Sequence, residues 1–181
     1  MKTSYCTSIM AATALLCLVP SLRAQAVYTA TKSSQLQAGA GYLYLNNDYS
    51  PKNDQGISAW VDASLTPLIG IEAEGHLGNI SSPSDVGENS AFIGPRVTHR
   101  FGRFQPYAKA MIGFAALKQD LPEHTSTAHY VAYEIGGGVD YRVKPHFSWR
   151  VVDVGFQGWP SFKPNGLSPY AISTGVMYII Q

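Results

Sequence analysis

The sequence predicts an all-β fold, an eight-stranded antiparallel up-and-down transmembrane β-barrel. Three observations lead to this prediction. Eight segments alternate apolar with polar residues, as strands with two unlike faces do. The connections between these segments alternate between long and short, and aromatic residues collect near both ends of the strands. Both features are typical of a barrel that lies in a membrane.

The first 26 residues have the layout of a secretory signal peptide. Lys2 precedes an apolar stretch at residues 9–19, and Ala-Gln-Ala at residues 24–26 supplies the cleavage pattern. The apolar stretch is shorter than the ~20 residues of a membrane-spanning helix. We therefore expect residues 1–26 to be removed after export and residues 27–181 to form the barrel domain.

The composition of the mature chain excludes several classes of protein. Cys6 and Cys17 leave with the signal, which excludes disulfides and Cys-based metal sites from the rest. Lys+Arg falls from 13 to 11 against 12 Asp+Glu, without the clustered basic face of a nucleic-acid-binding protein. Charged residues make up 14% of the chain, against ~25% in an average soluble domain. A soluble barrel would need more charge on its wet face, so this low value favours a lipid-facing wall.

The predicted strands are at or slightly above the ~9–11 residues that a tilted strand needs to cross a bilayer. No amphipathic helical period of useful length competes with them. They are predicted at residues 35–45, 57–66, 68–78, 90–101, 104–116, 130–143, 146–157 and 168–180.

The sixth strand shows the two faces most clearly. In VAYEIGGGVDYRV, residues 131–143, one alternate set is almost wholly apolar and the other holds Glu134, Asp140 and Arg142. In a soluble protein the apolar set would be buried, whereas in a membrane barrel it contacts lipid and the charges point inward. The function depends on which arrangement holds.

The connections favour the membrane arrangement. In an up-and-down meander, alternating long and short connections put every long loop at one end and every short turn at the other. Aromatic residues near both strand ends would form the two interfacial girdles of a membrane barrel. The long loops are predicted at residues 46–56, 79–89, 117–129 and 158–167, and the short turns at 66–67, 102–103 and 144–145.

Ten charged side chains are predicted to share the lumen as a charge network. The interior of an eight-stranded barrel is just wide enough for side chains to fill, and buried charges are costly unless paired. Five positive and five negative residues would balance there, with inward glycines leaving them space. They are Arg96, Arg100, Lys109, Arg142 and Arg150, and Asp62, Glu72, Glu74, Glu134 and Asp140.

Two positions depart from the strand pattern. Strict alternation would turn Asp153 towards lipid, so we predict a β-bulge near Val151 and Val152 that returns it to the lumen. Pro95 lies in the middle of a strand and cannot donate to the ladder, which predicts a second bulge.

With these features in place, the sequence resembles the OmpA/OmpX-type outer membrane β-barrels, and above all the single-domain outer membrane protein beta-barrel families of Gram-negative bacteria. The likeness is carried by GPRVTHRFGRFQPYAKAMIGFA at residues 94–115, EIGGGVDYRVKPHFSWRVVDVGF at 134–156 and the ending SPYAISTGVMYII. The resemblance implies an outer membrane monomer without cofactors, inserted by the barrel-assembly machinery. Its surroundings would be outer membrane lipids and lipopolysaccharide.

The sequence favours a non-enzymatic protein with a structural or surface-interaction role. An extracellular partner would bind the four long loops, where Tyr49, Trp159 and Phe162 are the expected exposed aromatic contacts. Two other functions stay open. A lipid A-modifying barrel enzyme would need a hydroxyl beside a His, for which Ser126 with His124 or His129 are the local residues. A soluble periplasmic lipocalin-like binding barrel would reverse the two faces. No metal or cofactor site is predicted.

Overall fold

The structure is a computed structural model that describes residues 35–46, 53–78, 86–120, 125–162 and 166–180. The predicted signal peptide, Tyr49 and His124 lie outside these residues. Eight strands follow one another, as predicted: β1 (Gln35–Asn46), β2 (Asp54–Ser64), β3 (Ile69–Leu77), β4 (Val86–Thr98), β5 (Phe104–Asp120), β6 (Thr125–Lys144), β7 (Phe147–Gly158) and β8 (Tyr170–Ile179).

The strands form a closed barrel. Each strand pairs antiparallel with the next along the chain, and β1 pairs with β8 to close the sheet. The predicted fold class is therefore confirmed. Because the strands run up and down, both chain ends of the barrel and the three short turns lie at one end, which we call the short-turn end. The opposite end is the long-loop end.

The turn between β4 and β5 illustrates how the short-turn end is built. Phe101 and Phe104 exchange two backbone hydrogen bonds of 2.8 and 3.0 Å, which closes a two-residue loop. Gly102, the first residue of this loop, has φ of 61°. Glycine adopts this left-handed conformation without the steric cost that a Cβ would impose.

The outer wall of the barrel is apolar. Ile112 is 71% exposed, and Phe114 and Val176 are each 66% exposed. In β6, Ile135 points outward while Glu134 is fully buried, so the charged set of the sixth strand faces the lumen. Large apolar side chains are accommodated on such a surface by lipid. No helix among the described residues has the length and hydropathy of a membrane span.

Several strands reach further towards the long-loop end than predicted, β5 and β6 among them. β5 continues to Asp120 and β6 begins at Thr125, so the third long connection shrinks from the predicted residues 117–129 to residues 121–124. Asp120 lies opposite Thr125 in an unbroken register that continues from the barrel wall. The alternation of apolar and polar residues fades in this extension, which explains why the sequence pattern ended too early.

One predicted bulge is present and the other is not. β7 shifts register between Arg150 and Asp153 against β8, and Val151 is the extra residue. Asp153 is thereby turned into the lumen, where it is 3% exposed. The prediction of a bulge at Pro95 was wrong. Pairing with β5 lapses at residues 94–95 and resumes in the same register, while pairing with β3 is continuous, so the ladder accommodates the missing donor without an extra residue.

Candidate functional site

Inward side chains from all eight strands fill the lumen, and its middle is occupied by ions. Glu72 of β3 and Arg150 of β7 come from opposite walls and meet there. Arg150 Nη2 donates to Glu72 Oε2 at 3.0 Å, and its Nη1 donates to Glu72 Oε1 at 3.2 Å. Both side chains are fully buried. This pair ties together strands that share no ladder hydrogen bonds.

Arg96 of β4 extends the cluster towards the short-turn end. Its Nη1 lies 2.7 Å from both Glu72 Oε2 and Asp62 Oδ2, and its Nη2 donates to Asp140 Oδ2. Asp62 also accepts a 3.1 Å hydrogen bond from Gln37 Nε2. Arg96 thus joins carboxylates that come from β2, β3 and β6.

Lys109 of β5 lies among four carboxylates. Its Nζ contacts Glu74, and it lies 2.9 Å from Asp153 Oδ1, 3.2 Å from Glu72 Oε1 and 3.3 Å from Glu134 Oε1. Oxygens of Glu74, Glu134 and Asp153 lie within 4.8 Å of one another, a spacing that could hold a metal ion. The ammonium of Lys109 contacts all three, so it takes the position that a bound cation would need.

Aromatic rings and a glycine complete the packing around these ions. The guanidinium of Arg96 lies 3.7 Å from the ring centroid of Tyr107, and that of Arg150 lies 4.1 Å from Trp60. Tyr107 also donates its hydroxyl to Asp153. Gly155 faces the Glu134 carboxylate, where a Cβ would lie 2.6 Å from Glu134 Cδ. Any larger residue at 155 would push Glu134 away from Lys109.

His76 lies on the long-loop side of the ion cluster. Its Nε2 lies 3.0 Å from Glu74 Oε1, and its Nδ1 lies 3.2 Å from Gln157 Nε2. Its ring centroid is 6.0 Å from that of Phe92, in an edge-to-face arrangement. The imidazole therefore contacts the ions on one side and an apolar group on the other.

The long-loop end of the lumen holds a cluster of apolar side chains, in addition to the buried Asp54 and Glu88. Leu117, Tyr130 and Phe162 pack against this cluster. Trp159 is its largest member, stacked on Tyr130 at 6.0 Å between ring centroids and donating its Nε1 to Gln157 Oε1 at 3.2 Å. We call this cluster the apolar cap: Phe92, Met111, Ala115, Ala132, Trp159 and Leu167.

The position of Trp159 corrects one expectation. It was predicted to be an exposed loop contact, but it is 1% exposed. It follows the inward residues Gly155 and Gln157 at the same alternate spacing, and it pairs with Leu167 through an isolated antiparallel bridge. Phe162 is half-buried against the same cap. Alternation along β7 could have identified the inward direction of Trp159.

Eight of the ten predicted lumenal charges come together in the cluster. The other two, Arg100 and Arg142, instead lie at the short-turn end, where both donate to Gln35 Oε1 at 3.0 and 3.1 Å. Since β4 ends at Thr98, Arg100 is carried beyond the wall and is exposed. The cluster therefore holds Arg96, Lys109 and Arg150 against Asp62, Glu72, Glu74, Glu134, Asp140 and Asp153.

This arrangement corrects the predicted charge balance. Five cations and five carboxylates were expected, but three cations and six carboxylates form the described cluster. Asp153 and His76 are the members that the predicted network omitted. Both could have been included from the sequence, since His76 shares the alternate spacing of Glu72 and Glu74 and the predicted bulge turned Asp153 inward.

The residues of the enzyme alternative lie only partly within the described part of the chain. Ser126 lies in β6, opposite Gln119, and His129 lies in the same strand with an exposed side chain. His124 lies outside the described residues.

Comparisons with known proteins agree with this geometry. The family model described as "Outer membrane protein beta-barrel domain" matches residues 11–179. The N-terminal β-barrel domain of Pseudomonas aeruginosa OprF is similar with a TM-score of 0.58 and 11% identity, over 81% of this chain and 99% of that chain. OprG from Pseudomonas aeruginosa gives 0.57 and 12%, over 84% and 98%. Ail of Yersinia pestis gives 0.54 and 14%, over 81% and 97%. At these identities the structural likeness shows the fold alone. Comparison with curated protein sequences gives no significant match.

Proposed function

This chain belongs to the outer membrane protein beta-barrel domain family, and from that premise we propose that it is a non-enzymatic surface protein that binds a partner through its long-loop end. Its location is the outer membrane. A cleaved signal peptide would bring it to the periplasm, and the barrel-assembly machinery would insert it as a monomer. Its apolar wall would contact outer membrane lipids, with lipopolysaccharide around the outer end.

The observation that carries the proposal is the filled lumen. The side chains of Glu72, Lys109 and Arg150 have no exposed surface, and their charges are engaged with one another across the barrel. A lumen packed in this way supports neither an aqueous channel nor a solute-binding barrel, because little space remains between the walls. The long-loop end is then the surface available for recognition, as is usual for loops on a rigid scaffold.

The charge of the long loops indicates which partners are favoured. Residues 46–56, 79–89, 117–129 and 158–167 contain six Asp or Glu and three Lys. The structure of Yersinia pestis Ail has been solved in complex with the heparin analogue sucrose octasulfate. Asp54 and Glu88 of this set are buried in the barrel, which leaves four Asp or Glu and three Lys. These loop charges include no cluster of Lys or Arg that would attract such a polyanion, so we propose a neutral or cationic partner for this surface.

Cell adhesion tests the proposed surface role. Bacteria that express the full chain would be compared with bacteria whose barrel has residues 47–52 and 80–84 replaced by Asn-Gly turns. We expect both proteins to migrate differently in boiled and unboiled samples on a gel, as folded barrels do. Only the full chain should increase adhesion to epithelial monolayers. Equal adhesion by both strains would contradict the role of the loops.

A second assay tests the absence of catalysis. Lipid A would be extracted from cells that express the full chain and from cells that express a Ser126→Ala/His129→Ala variant. We expect identical acyl-chain profiles in both and in cells without the protein. A profile that changes with the full chain and reverts in the variant would establish the enzyme alternative.

A further inference from the structure

The short-turn end carries an unbalanced positive charge. Residues 99–103 contain two arginines, and residues 142–146 contain one arginine and one lysine. Neither these segments nor the remaining connection, residues 65–68, contains Asp or Glu. We call these four residues the basic rim: Arg100, Arg103, Arg142 and Lys144. Apart from the buried Asp54 and Glu88, the long loops hold four Asp or Glu and three Lys, so the excess of positive charge is confined to the short-turn end. In the outer membrane the short turns face the periplasm, so the basic rim lies at the periplasmic leaflet.

Two guanidiniums of the basic rim converge without a counterion. Arg100 Nη2 and Arg142 Nη2 both donate to the neutral Oε1 of Gln35, at 3.0 and 3.1 Å. Within the described residues neither has a carboxylate at ion-pair distance, and Arg142 Nε is buried without a hydrogen-bond partner. Like charges held this close repel each other, so an anion that binds between them would stabilise the arrangement.

The other two cations lie beside the aromatic girdle. Arg103 and Lys144 are exposed, and a 2.8 Å hydrogen bond from Arg142 N to Arg103 O joins the two turn regions. Phe101 is 63% exposed and Phe104 is 55% exposed, with the Phe104 ring 5.0 Å from that of Tyr141. Such rings mark the interface between hydrocarbon and headgroups. The cations are therefore at the level of lipid phosphates.

We propose that the basic rim binds the phosphate of an anionic phospholipid in the periplasmic leaflet. Arg103 and Lys144 would bind the phosphate at the outer edge, and Arg100 and Arg142 would add attraction from the mouth of the lumen. The exposed rings would pack against the glycerol and the first methylenes. A soluble polyanion would satisfy the charges but would leave the rings without a matching apolar surface. This lipid contact is independent of any partner at the long loops.

Native mass spectrometry of the refolded, full mature chain in detergent tests the proposal. Phosphatidylglycerol and phosphatidylcholine with the same acyl chains would be offered together. The Arg103→Gln/Lys144→Gln variant would be compared with Lys52→Gln/Lys163→Gln, which removes the same charge at the long-loop end. We expect the wild-type chain and the long-loop variant to retain phosphatidylglycerol selectively, and the rim variant to lose about thirtyfold in affinity for it.

A conservative variant and a competition experiment distinguish lipid binding from a folding defect and from binding of a soluble anion. The charge-conserving Arg103→Lys/Lys144→Arg variant should keep the selectivity, which excludes a general folding defect as the cause of the loss. Equal retention of both lipids by the wild-type chain would overturn the proposal, as would an equal loss in the two Gln variants. Displacement of the lipid by inorganic phosphate, but not by chloride at the same ionic strength, would show a soluble-anion site instead and would also overturn it.

Discussion

The middle of the lumen is filled by ions, whereas the apolar cap lies towards the long-loop end, one inward position further along β5 and β6. In β5 the change occurs between Lys109 and Met111, and in β6 between Glu134 and Ala132. The ions join opposite walls through pairs such as Glu72 with Arg150. The apolar cap instead packs the fourth loop, through Trp159, onto the strands.

The difference teaches that the two regions depend on different properties. Each ion needs particular partners, because an unpaired charge away from water is costly. The apolar cap needs volume and shape, which several apolar residues could supply. Substitutions in the middle should therefore destabilise the barrel through loss of charge partners, and those in the apolar cap through loss of packed volume.

The largest effect is expected for Arg150→Met. The variant removes a cation that contacts Glu72, Asp62 and Asp140. The repulsion between these carboxylates is then less well compensated. We expect the free energy of unfolding to fall by about 3–5 kcal/mol, as when one partner of a buried ion pair is removed. Urea unfolding of the refolded barrel in detergent micelles would measure it.

Arg142→Met is the matched control for that variant. It removes the same type of side chain from the short-turn end, where Arg142 is only half-buried. We expect a loss below about 1 kcal/mol, in the range of exposed charge interactions. If both variants lost the same stability, the buried cluster would have no special role in holding the barrel together.

A smaller loss is expected for Trp159→Ala, which empties the centre of the apolar cap. Truncation of a buried tryptophan costs about 3–5 kcal/mol in a closed core. We expect the lower limit here, about 3 kcal/mol, because water at the outer end can enter the space. Trp159→Phe should recover most of the loss in the same urea titration. A loss from Trp159→Phe as large as that from Trp159→Ala would show that the indole hydrogen bond to Gln157, not the volume, is what matters.

The smallest changes in stability are expected for two carboxylates of the cluster, Glu72 and Glu134, and they should differ from each other. Glu72 accepts hydrogen bonds from Arg96, Lys109 and Arg150, so Glu72→Gln should lower the free energy of unfolding by about 2 kcal/mol. Glu134→Gln keeps an acceptor for Gln157 and removes one of six carboxylates that surround three cations. We expect Glu134→Gln to leave stability unchanged or raised at neutral pH, and a loss equal to that of Glu72→Gln would refute the charge excess.

Strand number, order and facing could all be predicted because alternation is a direct consequence of strand geometry. Strand ends could not, since the residues beyond Ala116 in β5 and before Tyr130 in β6 no longer alternate. Arg100 was assigned to the lumen by counting alternate residues past Thr98, where the strand has already ended. The hydrogen bonds that end a strand are not visible in a hydropathy pattern.

The sequence predicted most residues of the charge network, but not the ratio of cations to carboxylates in it. Asp62, Glu72, Arg96 and Lys109 share the inward face of their strands, and that property follows from the sequence alone. The pairing of Glu72 with Arg150 depends on which walls oppose each other in the closed barrel. The inward direction of Trp159 follows from alternation along β7, but its pairing with Leu167 depends on the path of the connection that follows.

The bulge at Val151 has an evolutionary consequence. In a regular stretch of these strands, loss of a single residue would exchange the lumenal and lipid-facing sets in the rest of the strand. In β7, loss of Val151 would leave Arg150, Val152 and Asp153 directed inward, outward and inward, as they are now. The extra residue is thus a site where descendants of this gene can shorten by one codon without turning the barrel wall inside out.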